Sequence, residues 1–442
     1  MISKISAGAI YSVLGNNSSL IPLGIKDVAN SCGLTAASYI AGDKVEGKDR
    51  FIDEFGTQAI WLGGIPTYKY LLDKFMFKPM KFDPKVDVRI FKDKNILEAA
   101  KEFAPTKEIK SSIEHAVLNQ SKIKSLTLAK FVASTALTAL TYFGLTKFRH
   151  KYTEKQITKD YMAKKNEQKR NAQFTGNHVP FSSAFSAVHK QVPAKTPSFT
   201  GGLQNFMFDP VKNLMIVDGV ITGERLTHAR NPQDFMGYVI KEGSFWLFMY
   251  GAGQMISNAL EKHVEKKYNK SIDLDARVIE SDELKEALQS GKLKEHLNAF
   301  KQADKSDVDI YKFVVNSENK NFVVDMAKKS DIIELLKDSD KVDTRRYIAL
   351  GNDKSDDFSG LRGIAKKLEK LLNQYETSNQ DTETFLKQVR KLKRGSVLKN
   401  IGACIGALGV IAPAIMLAVR KFGDNSDYQV KKDIETKLEQ SV

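Results

Sequence analysis

Two long apolar stretches dominate the pattern of hydrophobic and polar positions along this chain. Residues 126–146 carry one charge, Lys130, and lead into the basic segment KFRHKY, whereas residues 400–419 carry none and lie between KLKRGSVLK and RKF. About 20 apolar residues in a helix match the thickness of a bilayer core, and flanking Lys and Arg are typical of membrane spans. Both stretches therefore predict transmembrane helices, and a buried helix of a water-soluble protein is the alternative.

Two shorter apolar stretches, residues 55–72 and 243–260, contain both tryptophans of the chain, Trp61 and Trp246. A helix of roughly 18 residues reaches roughly 27 Å, slightly less than a bilayer core of about 30 Å. Glycines in both stretches, and a proline in the first, permit close helix contact or a kink. The pattern is compatible with helices that span or re-enter a membrane, with buried helices, and with helices at the membrane interface.

These stretches belong to two segments that repeat along the chain at a constant separation. Each segment contains an acid, an aromatic apolar stretch with Gly, an alternating Asp/Arg stretch and a short helix, in that order. The aligned polar positions, 188 residues apart, are Glu54 with Glu242, Asp87 with Asp275, and Arg89 with Arg277. Such a pattern predicts two divergent copies of one structural unit.

The predicted fold is a mostly α-helical membrane protein built from two divergent tandem repeats. Each repeat ends in a transmembrane helix and carries a small soluble α or α+β module. The first repeat covers residues 1–150 and the second 206–442, with a polar, basic and partly disordered linker at 151–205 that is rich in Pro, Ser and Gly. The second repeat also contains a charged, soluble helical insertion, 288–394, which offers a surface for a protein partner.

Local patterns predict the structure of the soluble modules. Aliphatic and charged residues alternate over 86–90 and 274–278, which predicts a short half-buried strand in each repeat. The Asp and Arg side chains of these strands could pair between repeats and hold the two halves in register. In the insertion, the apolar runs on either side of NSENKN predict a hairpin or two helices, and residues 330–339 predict an amphipathic helix.

Composition limits the membrane portion and the kind of partner. A mean hydropathy of −0.33 restricts membrane-embedded residues to a minority of the 442. The net charge is +15, and Lys and Arg are densest beside the apolar stretches, which favours the lipid bilayer and anionic lipid headgroups over nucleic acid as partners. We predict a multi-pass membrane protein with linker 151–205 on the cytoplasmic side, no specific nucleic-acid binding and no secretory signal.

No sequence motif specifies a catalytic, cofactor or metal site. The two cysteines, Cys32 and Cys404, do not support a disulfide framework or a thiolate metal site. Among seven histidines, His263 lies near glutamates, but without a second histidine this is a weak metal-binding pattern. Phosphate-binding loops and the GxSxG motif are absent from the sequence. We therefore expect no cofactor, no metal and no enzymatic activity.

The polar positions shared by both repeats are the candidate functional residues. Glu54 and Glu242 each precede an apolar stretch, where an unpaired carboxylate is costly to bury. They could bind protons or cations, bind a lysine between the repeats, or remain in water and cap a helix. The sequence also predicts that Arg225 and Arg230 face water or lipid headgroups.

A small-residue face at Gly402, Gly406 and Gly409 predicts helix pairing. Three functions fit these features. The first is a non-enzymatic membrane protein for structure, anchoring or partner binding. The second is a small-solute carrier that uses Glu54 and Glu242 in a shared cavity, and the third is a peripheral helical protein that binds anionic lipid.

Overall fold

The computed structural model describes residues 7–15, 20–41, 44–171, 207–351, 360–422 and 428–441. These residues are mostly α-helical, which confirms the predicted fold class at that level. The described ranges contain no strand beyond one isolated antiparallel bridge, Leu335 with Val342. Where the structure describes them, the predicted modules are therefore helical and not α+β.

The first half of the chain forms α1 (Ala7–Gly15), α2 (Leu20–Ala41), α3 (Lys44–Leu72), α4 (Lys94–Glu102), α5 (Lys107–Leu118) and α6 (Gln120–Asn171). The second half forms α7 (Pro210–Thr227), α8 (Pro232–Trp246), α9 (Ala252–Tyr268), α10 (Ala276–Ile279), α11 (Asp282–Gln289), α12 (Lys292–Ala303), α13 (Asp307–Val315), α14 (Phe322–Lys329), α15 (Gly360–Thr377), α16 (Thr382–Gly406), α17 (Ala412–Phe422) and α18 (Gln429–Gln440). Single π-helical turns occupy Asp73–Phe77, Leu247–Gly251 and Ala407–Ile411, and a 3-10 turn occupies Val88–Lys92.

The predicted strands at 86–90 and 274–278 are wrong. The structure has the 3-10 turn Val88–Lys92 at the first place and α10, Ala276–Ile279, at the second. In both, the aspartate just before the helical turn accepts a hydrogen bond from the backbone N–H of the arginine two residues later. In a strand, the N–H of this arginine would need an acceptor on a neighbouring strand. Here the aspartate side chain is the acceptor, and this bond caps the start of a helical turn.

The insertion in the second repeat is also helical. On either side of NSENKN the chain forms α13 and α14, so the helical alternative is found and the hairpin is not. The helix predicted at 330–339 is absent. Instead α14 ends at Ser330, and Asp331 has a positive φ of 58°, a left-handed conformation that commonly terminates helices.

Two helical segments are long and apolar enough to cross a membrane: one within Gln120–Glu167 and one within Thr382–Arg420. They contain the predicted spans 126–146 and 400–419. Only 22% and 39% of their most apolar windows are buried inside the structure. The shorter stretches, 55–72 and 243–260, are helical but do not meet this length and hydropathy criterion.

The predicted linker begins inside a helix. Because α6 continues to Asn171, residues 151–171 extend the same helix that contains the predicted span 126–146. The remainder of the predicted linker, 172–205, lies outside the described residues.

The structure divides into two compact units. Unit 1 comprises residues 1–22, 69–132 and 252–403, and unit 2 comprises residues 23–68, 133–251 and 404–442. Each unit takes residues from both halves of the chain, so the compact units do not follow the boundaries of the predicted tandem repeats. The repeat organisation stays a prediction.

Unit 1 has an apolar core and ion pairs on its surface. Its core is aliphatic and aromatic, with Leu284, Phe300, Val323, Leu368 and Phe385 all buried. Its surface carries exposed ion pairs such as Lys294–Glu376 and Lys301–Glu369. Surface pairs of this kind contribute little to stability, so burial of the apolar core holds unit 1 together.

Unit 2 differs from unit 1 in the number of charged side chains that it buries. Large apolar side chains are exposed on several of its helices, among them Ile40 (76%), Leu140 (60%), Phe148 (59%), Val410 (66%) and Ile411 (58%). Charged side chains, in contrast, are buried in its interior. This arrangement is the starting point for the candidate site.

Candidate functional site

The interior of unit 2 contains one connected network of ion pairs. Among the residues that the structure describes, it joins five carboxylates and five cations through side-chain distances of 4.0 Å or less. The carboxylates are Asp49, Asp53, Glu54, Asp234 and Glu242, and the cations are Arg50, Arg149, Arg225, Arg230 and Lys241. The network is therefore balanced in formal charge.

Helix α3 supplies four of the ten members. Asp49, Arg50, Asp53 and Glu54 are spaced so that the two aspartates, and likewise Arg50 and Glu54, lie four residues apart on one face. Two carboxylates at this spacing repel each other unless cations lie between them. The polar face of α3 is therefore stable in the interior only when other helices supply positive charge.

Asp53 is the centre of the network. Its carboxylate is 2.9 Å from Arg149 and 3.2 Å from Arg225, with Lys241 at 3.9 Å and Arg50 at 3.8 Å. Burial by itself would raise the pKa of Asp53, but these four cations together hold that pKa well below its usual value. Asp53 is therefore ionised. It connects α3 to α6, α7 and α8, which supply Arg149, Arg225 and Lys241.

Lys241 brings the two predicted glutamates together. Its Nζ is 2.8 Å from Glu54 and 3.7 Å from Glu242. Glu242 also contacts Arg225 at 2.5 Å and accepts a hydrogen bond from the Thr222 hydroxyl at 2.8 Å. Both glutamates are at most 5% exposed, so neither remains in water. Of the roles expected from the sequence, the geometry corresponds to two ligands of one lysine.

Arg225 is buried and does not face water, so the prediction is wrong for Arg225, whereas the side chain of Arg230 is 17% exposed. Arg225 is 5% exposed, and it donates to Tyr142 through Nε at 2.8 Å in addition to its two carboxylate partners. Arg230 contacts Asp49 at 2.8 Å and Asp234 at 3.1 Å. A buried guanidinium is tolerated where carboxylates satisfy its fork of donors.

Hydrogen bonds from neutral side chains complete the network. The hydroxyl groups of Thr153 and Tyr428 donate to Asp49 at 2.7 Å and 2.9 Å, and Arg149 donates to the Tyr238 hydroxyl at 2.9 Å. These bonds satisfy some of the lone pairs and protons of Asp49 and Arg149 that their ion pairs leave over.

A small cavity lies beside the network. Its volume is about 20 Å³, which is sufficient for about one water molecule and too small for an organic solute. The lining residues are Asp27, Glu54, Thr57, Trp61, Asp218, Ile221, Arg225, Lys241, Glu242 and Phe245. Four carboxylates thus converge on this cavity, two of them outside the ion-pair network.

Those two carboxylates, Asp27 and Asp218, lie on α2 and α7, outside the candidate membrane-spanning segments. Burial raises the pKa of Asp27 to about 8 and that of Asp218 to about 7. Asp218 accepts hydrogen bonds on Oδ2 from Trp61 Nε1 at 3.3 Å and from the Tyr250 hydroxyl. Neither aspartate makes an ion pair with any residue in the described ranges.

The repeated Asp and Arg residues of unit 1 pair locally and not between repeats. Asp87 contacts Arg89 at 2.6 Å and Asp275 contacts Arg277 at 3.3 Å, each two residues along the chain. A third pair of the same spacing, Asp343 with Arg345 at 2.7 Å, was not expected from the repeat. These pairs cap and brace short helical turns, and we assign them a structural role.

Of the three glycines in the predicted helix-pairing face, only Gly409 packs closely against another helix. A side-chain carbon on Gly409 would lie 3.1 Å from the backbone oxygen of Ala29, whereas one on Gly402 or Gly406 would meet nothing within 4 Å. On the other side of this contact is Gly33 of α2. The close helix approach in unit 2 is therefore between Gly33 and Gly409.

Sequence reasoning identified Glu54 and Glu242 but missed Asp27, Asp49, Asp53, Arg149 and Asp218. One sequence feature could have indicated the ion-pair network. The acids at 49 and 53 stand four residues apart just before an apolar stretch, which is an unfavourable arrangement on an isolated helix and therefore indicates cationic partners. No local pattern indicates which cations, because Arg149 and Arg225 are distant in sequence.

The described residues contain no group of three or more His, Cys, Asp or Glu side chains arranged to hold a metal ion. Comparisons of the chain with protein-family models, with curated proteins and with solved structures gave no match.

Proposed function

We propose that this chain is an integral membrane protein without catalytic activity, which anchors or organises other molecules at a membrane. The observation that carries the proposal is the polarity of unit 2, whose charges are buried and whose large apolar side chains are exposed. In water this arrangement is unfavourable on both counts, since exposed apolar surface and buried charge each cost free energy. In a bilayer the exposed apolar side chains would contact apolar lipid chains instead of water.

The two candidate spans support the same proposal. The core helix of a water-soluble protein is mostly buried, but the windows within Gln120–Glu167 and Thr382–Arg420 are only 22% and 39% buried. Residues such as Leu140, Phe148 and Val410 leave an exposed apolar surface on these helices. Large exposed apolar surfaces mark membrane or protein contact sites.

The ion-pair network favours a structural role over transport. Its charges are balanced, and the cavity of about 20 Å³ that Glu54 and Glu242 line has no room for a solute. A separate cavity of about 270 Å³ borders Asp49, Arg50 and Asp234 and does not include the two glutamates. Breaking a buried pair costs about 3–5 kcal/mol, so a network of this size resists the rearrangement that alternating access would need. A scaffold requires only that the helices stay together.

Helix positions give support to the tandem repeat. Helices begin at Lys44 and Pro232, helical turns begin at Val88 and Ala276, and α4 and α11 begin at Lys94 and Asp282. Each pair is separated by 188 residues, the same spacing that aligns Glu54 with Glu242. A single spacing that relates three pairs of element starts is expected when two segments descend from one unit.

Unit 1 supplies the surface that we assign to a protein partner. Within the predicted insertion 288–394 and its edge lies an open groove of about 670 Å³. It combines apolar side chains, such as Val314 and Phe322, with charged ones, such as Lys328 and Asp340. Mixed apolar and charged surfaces of this kind are typical of protein interfaces.

Alkaline carbonate extraction tests the membrane proposal. We expect the full-length protein to remain in the membrane pellet after washing with carbonate, because the exposed apolar side chains of unit 2 would contact lipid and not only headgroups. Release into the supernatant would favour the peripheral lipid-binding alternative. A detergent-free soluble oligomer on size-exclusion chromatography would show that the apolar surface is covered by other copies of the chain, and it would overturn the proposal.

The second candidate function is a carrier, and one observation favours it: Glu54 and Glu242 meet at Lys241 beside a cavity of about 20 Å³. A site of that size suits a proton or a water molecule. If the protein carries protons, liposomes that contain the unaltered protein should show a change of internal pH, measured with an enclosed pH-sensitive dye. Liposomes that contain the Glu54→Gln/Glu242→Gln variant should not show this change. A scaffold would give no such flux with either protein, and Asp160→Asn, an exposed acid of α6, serves as the matched control.

A further inference from the structure

Asp27 and Asp218 differ from every carboxylate in the network of unit 2. They line the same cavity as Glu54 and Glu242, and both are buried, at 9% and 5% exposure. Asp218 receives two hydrogen bonds from neutral donors, and Asp27 has neither a hydrogen bond nor an ion pair within the described ranges. A buried carboxylate with no partner, directed at a cavity the size of a water molecule, needs a physical explanation.

Charge balance gives that explanation. The network already pairs five carboxylates with five cations, so it has no positive charge left for two more anions. Lys241 and Arg225, the cations that line the cavity, are both bound to network carboxylates. Two further ionised carboxylates would therefore stand uncompensated in the interior, at a cost that a buried group avoids by binding a proton.

We propose that Asp27 and Asp218 form a proton-binding site, which binds protons as the pH falls towards neutral and releases them as the pH rises. The proton is the ligand, and Glu54 and Glu242 are not its carriers because their charges are held by Lys241 and Arg225. This inference concerns the folded unit 2 in any solvent. It does not depend on the membrane role, so the carbonate experiment and the experiments below can fail independently.

Hydrogen-bond geometry indicates where the proton of Asp218 resides. Both Trp61 Nε1 and the Tyr250 hydroxyl donate to Oδ2, which places two donors on one oxygen. The other oxygen, Oδ1, receives neither of these bonds and is the atom that carries the proton. A neutral carboxylic acid can still accept both bonds on its carbonyl oxygen.

The groups that face the pair shift the pKa of the two aspartates in opposite directions, and burial outweighs them. Charged and titratable side chains around it are Glu54 from α3, Arg225 from α7, Lys241 and Glu242 from α8, and Tyr250 from the following π-helical turn. Glu54 raises the pKa of Asp27, whereas Lys241 and Arg225 lower it. The hydrogen bonds from Tyr250 and Trp61 lower the pKa of Asp218, Glu242 raises it and Arg225 lowers it. Burial is the largest cause and it raises both, so the cations do not reverse the result.

The fluorescence of Trp61 measures the protonation of Asp218 directly, because the indole donates to that carboxyl group. The chain has two tryptophans, so the Trp246→Phe variant leaves Trp61 as the sole reporter. We expect its emission to titrate with a midpoint between about pH 6 and about pH 8, well above the range of an exposed aspartate. The same background with Asp218→Asn should lose the transition.

Asp160→Asn in the Trp246→Phe background is the control, and it should leave the transition unchanged. A Trp61 signal that is flat from about pH 5 to about pH 9, or a transition that persists in Asp218→Asn, overturns the proposal. Infrared spectroscopy of the unaltered chain covers the case in which a variant does not fold. The carbonyl stretch of a protonated carboxylic acid should be present at neutral pH and disappear under alkaline conditions, and its absence at neutral pH would also overturn the site.

Discussion

Asp53→Asn is expected to destabilise unit 2 more than any other single charge removal, by about 3–5 kcal/mol, the usual cost of breaking a buried ion pair. The asparagine keeps the shape but leaves Arg149, Arg225 and Lys241 with one negative charge fewer to share. Folded proteins are stable by about 5–15 kcal/mol, so the loss is a large part of the total. The measurement is the thermal unfolding midpoint of the purified protein, with limited proteolysis as a second readout.

Two matched variants make this prediction specific. Asp160→Asn removes the same charge from an exposed position of α6 and should change the midpoint little. The double variant Asp53→Asn/Lys241→Gln removes one charge of each sign, so it restores the balance of the network. It should lose less stability than the sum of the two single variants, because the sites are coupled. Strict additivity, or an unfolding midpoint for Asp53→Asn equal to that of Asp160→Asn, would contradict the central role of Asp53.

The long helices were predictable because length and composition decide them. Residues 126–146 and 400–419 contain almost no charge, and an apolar run of that length is satisfied best as a helix. Glu54 and Glu242 were predictable for another reason, since each occupies the same place relative to an apolar stretch. In both cases the information lies within a few residues of the feature itself.

The partners in the charged network were not predictable, because the information is not local. Asp53 contacts Arg149 and Arg225, which lie 96 and 172 residues later in the sequence (149 and 225 against 53). A single arginine at the end of an apolar helix is most often solvated, and that general tendency led to the wrong environment for Arg225. Only the packing of α3, α6, α7 and α8 in unit 2 brings these side chains together.

The failed strand predictions have a different cause. Five residues that alternate between aliphatic and charged satisfy a strand period, but so short a run also fits one helical turn. Asp87 and Asp275 decide the outcome, because each accepts the backbone N–H of the arginine two residues later. Capping by a short acidic side chain is a local interaction that forms without any partner strand.

Gly33→Ala is expected to have the second large effect, through packing and not charge. A methyl group on Gly33 of α2 would overlap the carbonyl oxygen of Gly409 and would lie 2.8 Å from Cγ of Pro413. Backbone atoms cannot rotate away as a flexible side chain can, so α2 must move. Overpacking of a close contact costs about 1–3 kcal/mol, and we expect the unfolding midpoint to fall accordingly.

Gly63→Ala is the matched control, because a side-chain carbon at Gly63 of α3 meets nothing within 4 Å. Alanine is favoured over glycine inside a helix by about 0.5–1 kcal/mol, so this control should be neutral or slightly stabilising. If both variants shift the unfolding midpoint equally, the contact between Gly33 and Gly409 does not position α2.

The same variant connects packing to the proposed proton site. Asp27 lies on α2, six residues before Gly33, so a displacement of α2 moves the Asp27 carboxyl group relative to Asp218 and the cavity. Water that enters a widened cavity lessens the cost of ionising a buried carboxyl group. In the Trp246→Phe background, Gly33→Ala should therefore move the Trp61 transition to lower pH, while Gly63→Ala should leave it in place. A reduced unfolding midpoint with an unmoved transition would show that the helix contact and the aspartate pair are independent.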